Sequence, residues 1–179
     1  MRIVAGKFGG RRLQAPSSAV TRPTSDRVRE SLFSMLVDVD GASVLDLFAG
    51  TGALAIEALS RGAANAVLVE HDRNAAKVIE GNLNALGLVE PVARLLRGDA
   101  MAALEGAARR GERYDLVFLD PPYRDHAMLG DDPAMLIEAI LAPSARIVTE
   151  SDRREPLELD LPIIQQRRYG DTFIQIYQI

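Results

Sequence analysis

Four carboxylates stand at or just past the ends of four short apolar runs: Asp46 after Val44-Leu45, Glu70 after Ala66-Val67-Leu68-Val69, Asp99 after the run from Val92 to Arg97, and Asp120 after Tyr114 to Leu119. If these runs are strands of one parallel sheet, their carboxyl ends share a rim and the four acids converge on one crevice. Each acid alone has a structural use. Asp46 can cap a turn, Glu70 and Asp99 can N-cap the helices that follow, and Asp120 can anchor a proline turn. Four in register point to a site, and so acidic a site attracts a cation and repels a pyrophosphate.

Asp120-Pro121-Pro122-Tyr123 is the most specific of these signals. Two prolines after a strand make a stiff loop without two N–H donors, so its carbonyls stay free to accept. The Asp120 carboxylate and the Pro121 carbonyl form an acceptor pair suited to an exocyclic amine. Tyr123 adds a flat face on which a base can stack, worth about 1–3 kcal/mol.

The stretch Ser43 to Leu59 reads as strand, glycine turn and helix. Gly50 and Gly52 allow a tight turn and a close approach of ligand to bare backbone. Gly50-Thr51-Gly52-Ala53-Leu54-Ala55 fits the G-x-G-x-x-G/A dinucleotide pattern, and fits a plain strand-to-helix turn as well. Asp46, just before the glycines, argues against a nicotinamide dinucleotide. The sulfonium and ammonium of S-adenosylmethionine suit it, and that ligand has no phosphates. Glu70, about 24 residues after Asp46, is placed for ribose hydroxyls. Asp99 is suited to an adenine amino group, and Ala100 to offering its backbone N–H to the ring.

The elements that position these residues alternate. Strands are expected near Ala66–Glu70, Val92–Arg97, Tyr114–Leu119 and Arg146–Thr149, with helices at Arg73–Leu86, Ala100–Arg109 and Pro133–Leu141. That alternation predicts a parallel, doubly wound α/β sheet. Strands near Ile163–Tyr169 and Thr172–Tyr177, joined by Gly170-Asp171, close the chain as a hairpin. Upstream, Arg2 to Leu13 reads as a small β-hairpin and Ser25 to Leu36 as a helix capped by Thr24 or Ser25. Val28, Leu32, Met35 and Leu36 form the apolar stripe of that helix, with Arg27, Arg29 and Glu30 off it. The Gly130-Asp131-Asp132-Pro133 region reads as a loop beside the site.

At 179 residues the chain fits one domain, 1–24 being a basic hairpin and loop and 25–179 the catalytic core. Its apolar content of 47% and charged content of 26% are those of a soluble globular protein. Without cysteine there is no disulfide, thiolate metal site or cysteine nucleophile. No apolar run is long enough for a membrane span, and the opening residues do not read as a signal peptide, so a cytoplasmic protein without a membrane partner is expected; a monomer and a site without a metal are expected as well. Residues 1–30 carry seven basic and two acidic side chains, a net +5, so the remainder holds −9 of the overall −4. Lys7, Arg11, Arg12, Arg22, Arg27 and Arg29 make a basic arm of the kind that gains affinity for nucleic acid by displacing counterions.

Asp-Pro-Pro-Tyr after Asp-Leu-Phe-Ala-Gly-Thr-Gly resembles S-adenosylmethionine-dependent methyltransferases of exocyclic amines. Arg2-Ile-Val-Ala-Gly, Gly10-Arg-Arg-Leu and Arg22-Pro-Thr-Ser-Asp-Arg-Val-Arg-Glu-Ser-Leu-Phe resemble the N-terminal signature of the bacterial RsmD family, and the likeness runs nearly the whole chain. The family methylates N2 of a guanine in 16S ribosomal RNA. The resemblance implies a class I methyltransferase fold, Rossmann-like, with seven strands and the last hairpin inserted antiparallel. It implies that Asp46, Gly50 and Gly52 cradle the methionine end, Glu70 the ribose, Asp99 the adenine, and Asp120 to Tyr123 the target base. Many class I methyltransferases carry a further glycine where this chain has Phe48 in the cofactor turn, a departure the nearer family tolerates.

The chemistry expected is direct in-line methyl transfer to a guanine amine on 16S rRNA, within a small-subunit assembly particle and with no DNA partner. Acceptors at Asp120 and Pro121 orient the N–H bonds and stabilise charge growing on nitrogen. An adenine-N6 or glutamine-N5 methyltransferase uses a similar loop, usually with Asn in place of Asp120. An NAD-dependent oxidoreductase is opposed by Asp46 and by the poor setting of the two histidines, His71 and His126. A non-catalytic RNA-binding module does not need the row of acids.

Overall fold

The computed structural model describes residues 1–15, 25–121 and 133–179. Pro122, Tyr123, Arg22, His126 and the loop at 130–132 lie outside them. Seven strands form one sheet in the order β3-β2-β1-β4-β5-β7-β6. The elements run α1 (Asp26–Leu36), β1 (Ser43–Asp46), α2 (Ala53–Ser60), β2 (Asn65–Glu70), α3 (Arg73–Leu86), β3 (Ala93–Arg97), α4 (Ala100–Arg110), β4 (Tyr114–Leu119), α5 (Pro133–Glu138), β5 (Leu141–Asp152), β6 (Ile163–Tyr169) and β7 (Thr172–Gln178). Strands β1 to β5 pair in parallel. Strand β7 runs antiparallel between β5 and β6, as expected of the closing hairpin.

Because side chains alternate across a strand, each strand feeds two cores. Val44, Leu68, Leu116, Phe118 and Val148 face α1, α2 and α3, packing on Leu32, Phe33, Ile56 and Ile79. Leu45, Val69, Val117, Leu119 and Ile147 face α4 and α5, packing on Leu104, Ala107 and Ile137. The helices start where caps dictate: Ser25 accepts from the Val28 N–H, Asp72 from Asn74 and Ala75, and Asp99 from Ala102.

Three expectations are corrected. The N-terminal hairpin shrinks to one bridge, Arg2 to Arg12. The N–H groups of Val4 and Ala5 are captured by Glu57, and those of Lys7 and Phe8 by Ser60, so they cannot pair across a hairpin. Gly6 makes this approach possible, since a Cβ there would fall 1.8 Å from the Ser60 carbonyl oxygen. Helix α5 ends at Glu138, and Leu141 already pairs with Tyr114. Strand β5 runs on to Asp152 because β7 pairs with it from Arg146 to Asp152; its polar Glu150-Ser151-Asp152 end carries no apolar signal of a strand.

Candidate functional site

The strand order reverses between β1 and β4, and ligands of open α/β sheets bind outside the carboxyl ends at such a point. Asp46 pairs in register with Leu68 of β2 and Phe118 of β4. Glu70 and Asp120 therefore stand two residues farther out on either side, on the same α1–α3 face. Asp46 lies at the floor and the other two form the flanks.

Asp46 is 1% exposed, and no hydrogen bond of ordinary length and angle reaches either of its oxygens from the described residues, the Ala55 and Phe48 backbone N–H groups acting on it only weakly. Burial pushes its carboxyl up to about 7; the nearby Ala55 and Phe48 backbone oppose this, and the charge of Glu70 adds to it. Two orphaned oxygens on a buried acid are what a cation would satisfy. Glu70 is also buried, but it is engaged: one oxygen accepts from the Gly50 N–H at 2.8 Å, the other from Asp72 N–H at 2.8 Å. A carboxylate has about four acceptor sites, so it keeps capacity for hydroxyls. The exposed imidazole of His71 lies 3.5 Å from it.

The two turn glycines differ in role. Gly50 has φ +56° and a Cβ there would meet nothing closer than 4.0 Å, so open space lies over its backbone. Gly52, at φ +77°, would drive a Cβ to 3.1 Å from Leu68 and 3.3 Å from Ile56; it serves packing and caps α2. Phe48 is half-buried and packs toward the α4–α5 face. Asp99 is exposed and holds Ala102 N–H at 3.0 Å, leaving its other oxygen unused by that cap, while Ala100 is buried beside it. A cavity of about 410 Å³ is lined by Asp99 itself together with Leu96, Arg94, Arg97 and Arg110. Its arginines are paired with Glu112 and Glu80, so it is not a free cationic site.

Asp120 sits half-buried at the rim with Pro121 buried behind it. Burial, then the charges of Glu150 and Asp46, push its carboxyl well above the usual range. Glu150, 5% exposed at the end of β5, escaped the sequence reading because the strand was expected to stop at Thr149. Asn82 escaped it too, and no sequence signal marks it. From the middle of α3 it donates to the Thr51 and Gln14 carbonyls and accepts from Gln14 N–H, tying the glycine turn to the N-terminal segment.

In the basic arm, Lys7, Arg11, Arg12 and Arg27 are exposed. Arg29, read above as part of the basic arm and off the apolar stripe, is 0% exposed. Its guanidinium binds the Arg2 carbonyl and Asp26 instead, fastening α1 to the first residues of the chain. It is a structural residue, not part of the outer surface. Phe33, also absent from the expected stripe, fills the core beside Phe118.

Known proteins share this architecture. The family described as Conserved hypothetical protein 95 matches residues 1–178. The chain is 40% identical to Ribosomal RNA small subunit methyltransferase D of Escherichia coli, over 99% of this chain and 89% of that one. The chain belongs to the RsmD family. Putative rRNA methyltransferase YlbH of Bacillus subtilis is likewise 40% identical, over 99% and 98%. The solved putative methyltransferase yhhF from Escherichia coli, 36% identical, superposes with a TM-score of 0.82 over 99% of this chain and 97% of its own. More distant chains share the fold alone; one, 15% identical with a TM-score of 0.73 over 89% of this chain and 50% of its own, is a putative methyltransferase complexed with SAH.

Proposed function

We propose that this RsmD-family chain uses S-adenosylmethionine to methylate the exocyclic N2 amine of a guanine in 16S rRNA, acting as a single-domain cytoplasmic monomer on a small-subunit assembly particle. The observation that carries the reading is the pair of carboxyls at the switch point, Asp46 buried with neither oxygen partnered among the described residues and Asp120 half-buried beside it. The names of the two 40%-identical relatives support the RNA substrate.

When bound, S-adenosylmethionine supplies an electrophilic methyl on a positively charged sulfur. Asp46 meets its cationic methionine end, the open backbone at Gly50 receives that end closely, Glu70 takes ribose hydroxyls, and Asp99 with Ala100 N–H receives the adenine. Gly52 and Phe48 shape the turn from behind. Asp120 and the Pro121 carbonyl accept the amine N–H bonds, which aims the nitrogen lone pair and stabilises the charge it gains. Pro122 stiffens the loop and Tyr123 stacks on the extruded base, offsetting part of an unstacking cost of a few kcal/mol. Lys7, Arg11, Arg12 and Arg27, with Arg22, hold the RNA backbone by charge.

The test is in vitro transfer from isotope-labelled S-adenosylmethionine to purified 16S rRNA and to small-subunit particles, followed by nucleoside mass spectrometry. Labelled N2-methylguanosine, richer from particles than from naked RNA, is expected. Label on N6 of adenine, on protein glutamine, or nowhere overturns the reading.

A further inference from the structure

Strand β5 carries a carboxylate that the scheme above does not use. Leu119 pairs with Thr149 in parallel, so Asp120 and Glu150 occupy the next step outward on adjacent strands. Alternation puts both on the α1–α3 face, with Asp46 flanking from β1. Glu150 is 5% exposed at the end of β5. Its charge is the largest single neighbour acting on Asp120, ahead of Asp46. Glu70, from β2, acts on Asp46 in turn. Among the described residues neither Asp46 nor Asp120 is in an ion pair.

We propose that Glu150 is a positioning residue for methyl transfer, acting through Asp120: the two carboxyls form a pair that receives and shares the proton the amine gives up. This rests on the function proposed above. As the N–C bond forms, the C–S bond breaks and its electron pair stays on sulfur. The nitrogen then sheds one N–H proton to the Asp120 carboxylate, Glu150 shares it, and water finally takes it. Like charge beside Asp120 raises its hold on that proton, and also sets the acidity below which Asp120 stops accepting.

The pH profile of single-turnover methyl transfer at saturating S-adenosylmethionine separates this role from a structural one. In Glu150→Gln, which keeps size and removes charge, the acidic limb moves down by about one pH unit. An unmoved limb, at whatever rate, overturns the proposal. Carbon-13 titration of labelled aspartates needs no RNA, with the Asp120 signal assigned by its loss in Asp120→Asn. It is expected to show Asp120 titrating lower in Glu150→Gln than in the wild type, and an unchanged titration overturns the proposal. Should Glu150→Gln not fold, Glu150→Asp is titrated in its place; its shifted charge must move the Asp120 titration, and no movement counts against the pair. Failure of the wild type to methylate RNA strikes the proposed function alone, because the titration still reads the coupling.

Discussion

The two ends of the parallel sheet treat carboxylates in opposite ways. At the end where strands begin, Glu112 accepts from Arg110, Tyr114 and Arg94, and these partners hold its carboxyl down to about 2. At the end where strands finish, Asp46 is pushed up to about 7 and Asp120 well above its ordinary value, with no ion pair to either among the described residues. A folded chain with no use for that second end would pair or replace such acids, because a buried unpartnered carboxyl weakens the fold. The contrast separates a carboxylate that holds structure from carboxylates kept ready for a cation.

The largest expected effect lies at the rim. Asp120→Ala lowers methyl transfer by about 100- to 1,000-fold, the scale of losing one preorganised charge-stabilising group. Calorimetry is expected to find cofactor binding nearly intact; wild-type turnover in this variant contradicts the scheme.

Asp46→Asn sharpens the comparison by acting on binding and stability with opposite signs. Its carboxyl binds a proton more tightly folded than unfolded, so the ligand-free chain is most stable at low pH and loses that contribution as pH rises from about 4 through about 7. Above that, the Asn variant is expected to be more stable by about 2–4 kcal/mol in urea melts, while binding S-adenosylmethionine at least about tenfold more weakly. Lower stability at pH 8 would show that the acid is held for structure.

At the opposite end the sign inverts. Glu112 has a depressed value, so its contribution is present above the unfolded range near 4.5 and is lost as pH falls through about 2. Glu112→Gln is expected to destabilise the chain by about 1–2 kcal/mol at pH 7, since the group is partly screened by solvent. Cofactor affinity stays unchanged, read by melts and calorimetry side by side.

The smallest effect concerns RNA. Replacing Arg11 or Arg12 by Ala weakens RNA binding modestly and lowers the log–log salt slope by about one. Arg29→Ala destabilises the fold through Asp26 and the Arg2 carbonyl and leaves that slope in place. Salt titrations of filter binding distinguish them.

Much of this was legible before any coordinates. Arg73–Leu86 and Tyr114–Leu119 have the expected bounds because local signals agree: Asp72 caps α3, Gly87 ends it in the left-handed conformation, and an unbroken apolar run defines β4. Asp46, Glu70 and Asp120 converge as the alternation of elements requires. What stayed hidden depends on contacts distant in sequence. Glu57 and Ser60 take the N–H groups that a hairpin would use. Arg29 carries its charge inward because Asp26 and a carbonyl wait there. Glu150 enters the rim only because β7 extends β5. Polarity in a sequence does not say whether a side chain faces water or a partner.

The most direct test of the central claim, that the rim holds its acids for a positively charged ligand, is the affinity of S-adenosylmethionine between pH 5.5 and 8.5 in the wild type and in Asp46→Asn. Wild-type binding is expected to tighten with pH, by up to about tenfold per unit below the Asp46 value and levelling off above about 7, with a much flatter, weaker curve for the variant. A wild-type curve as flat as that of the variant, at equal affinity, would contradict that claim.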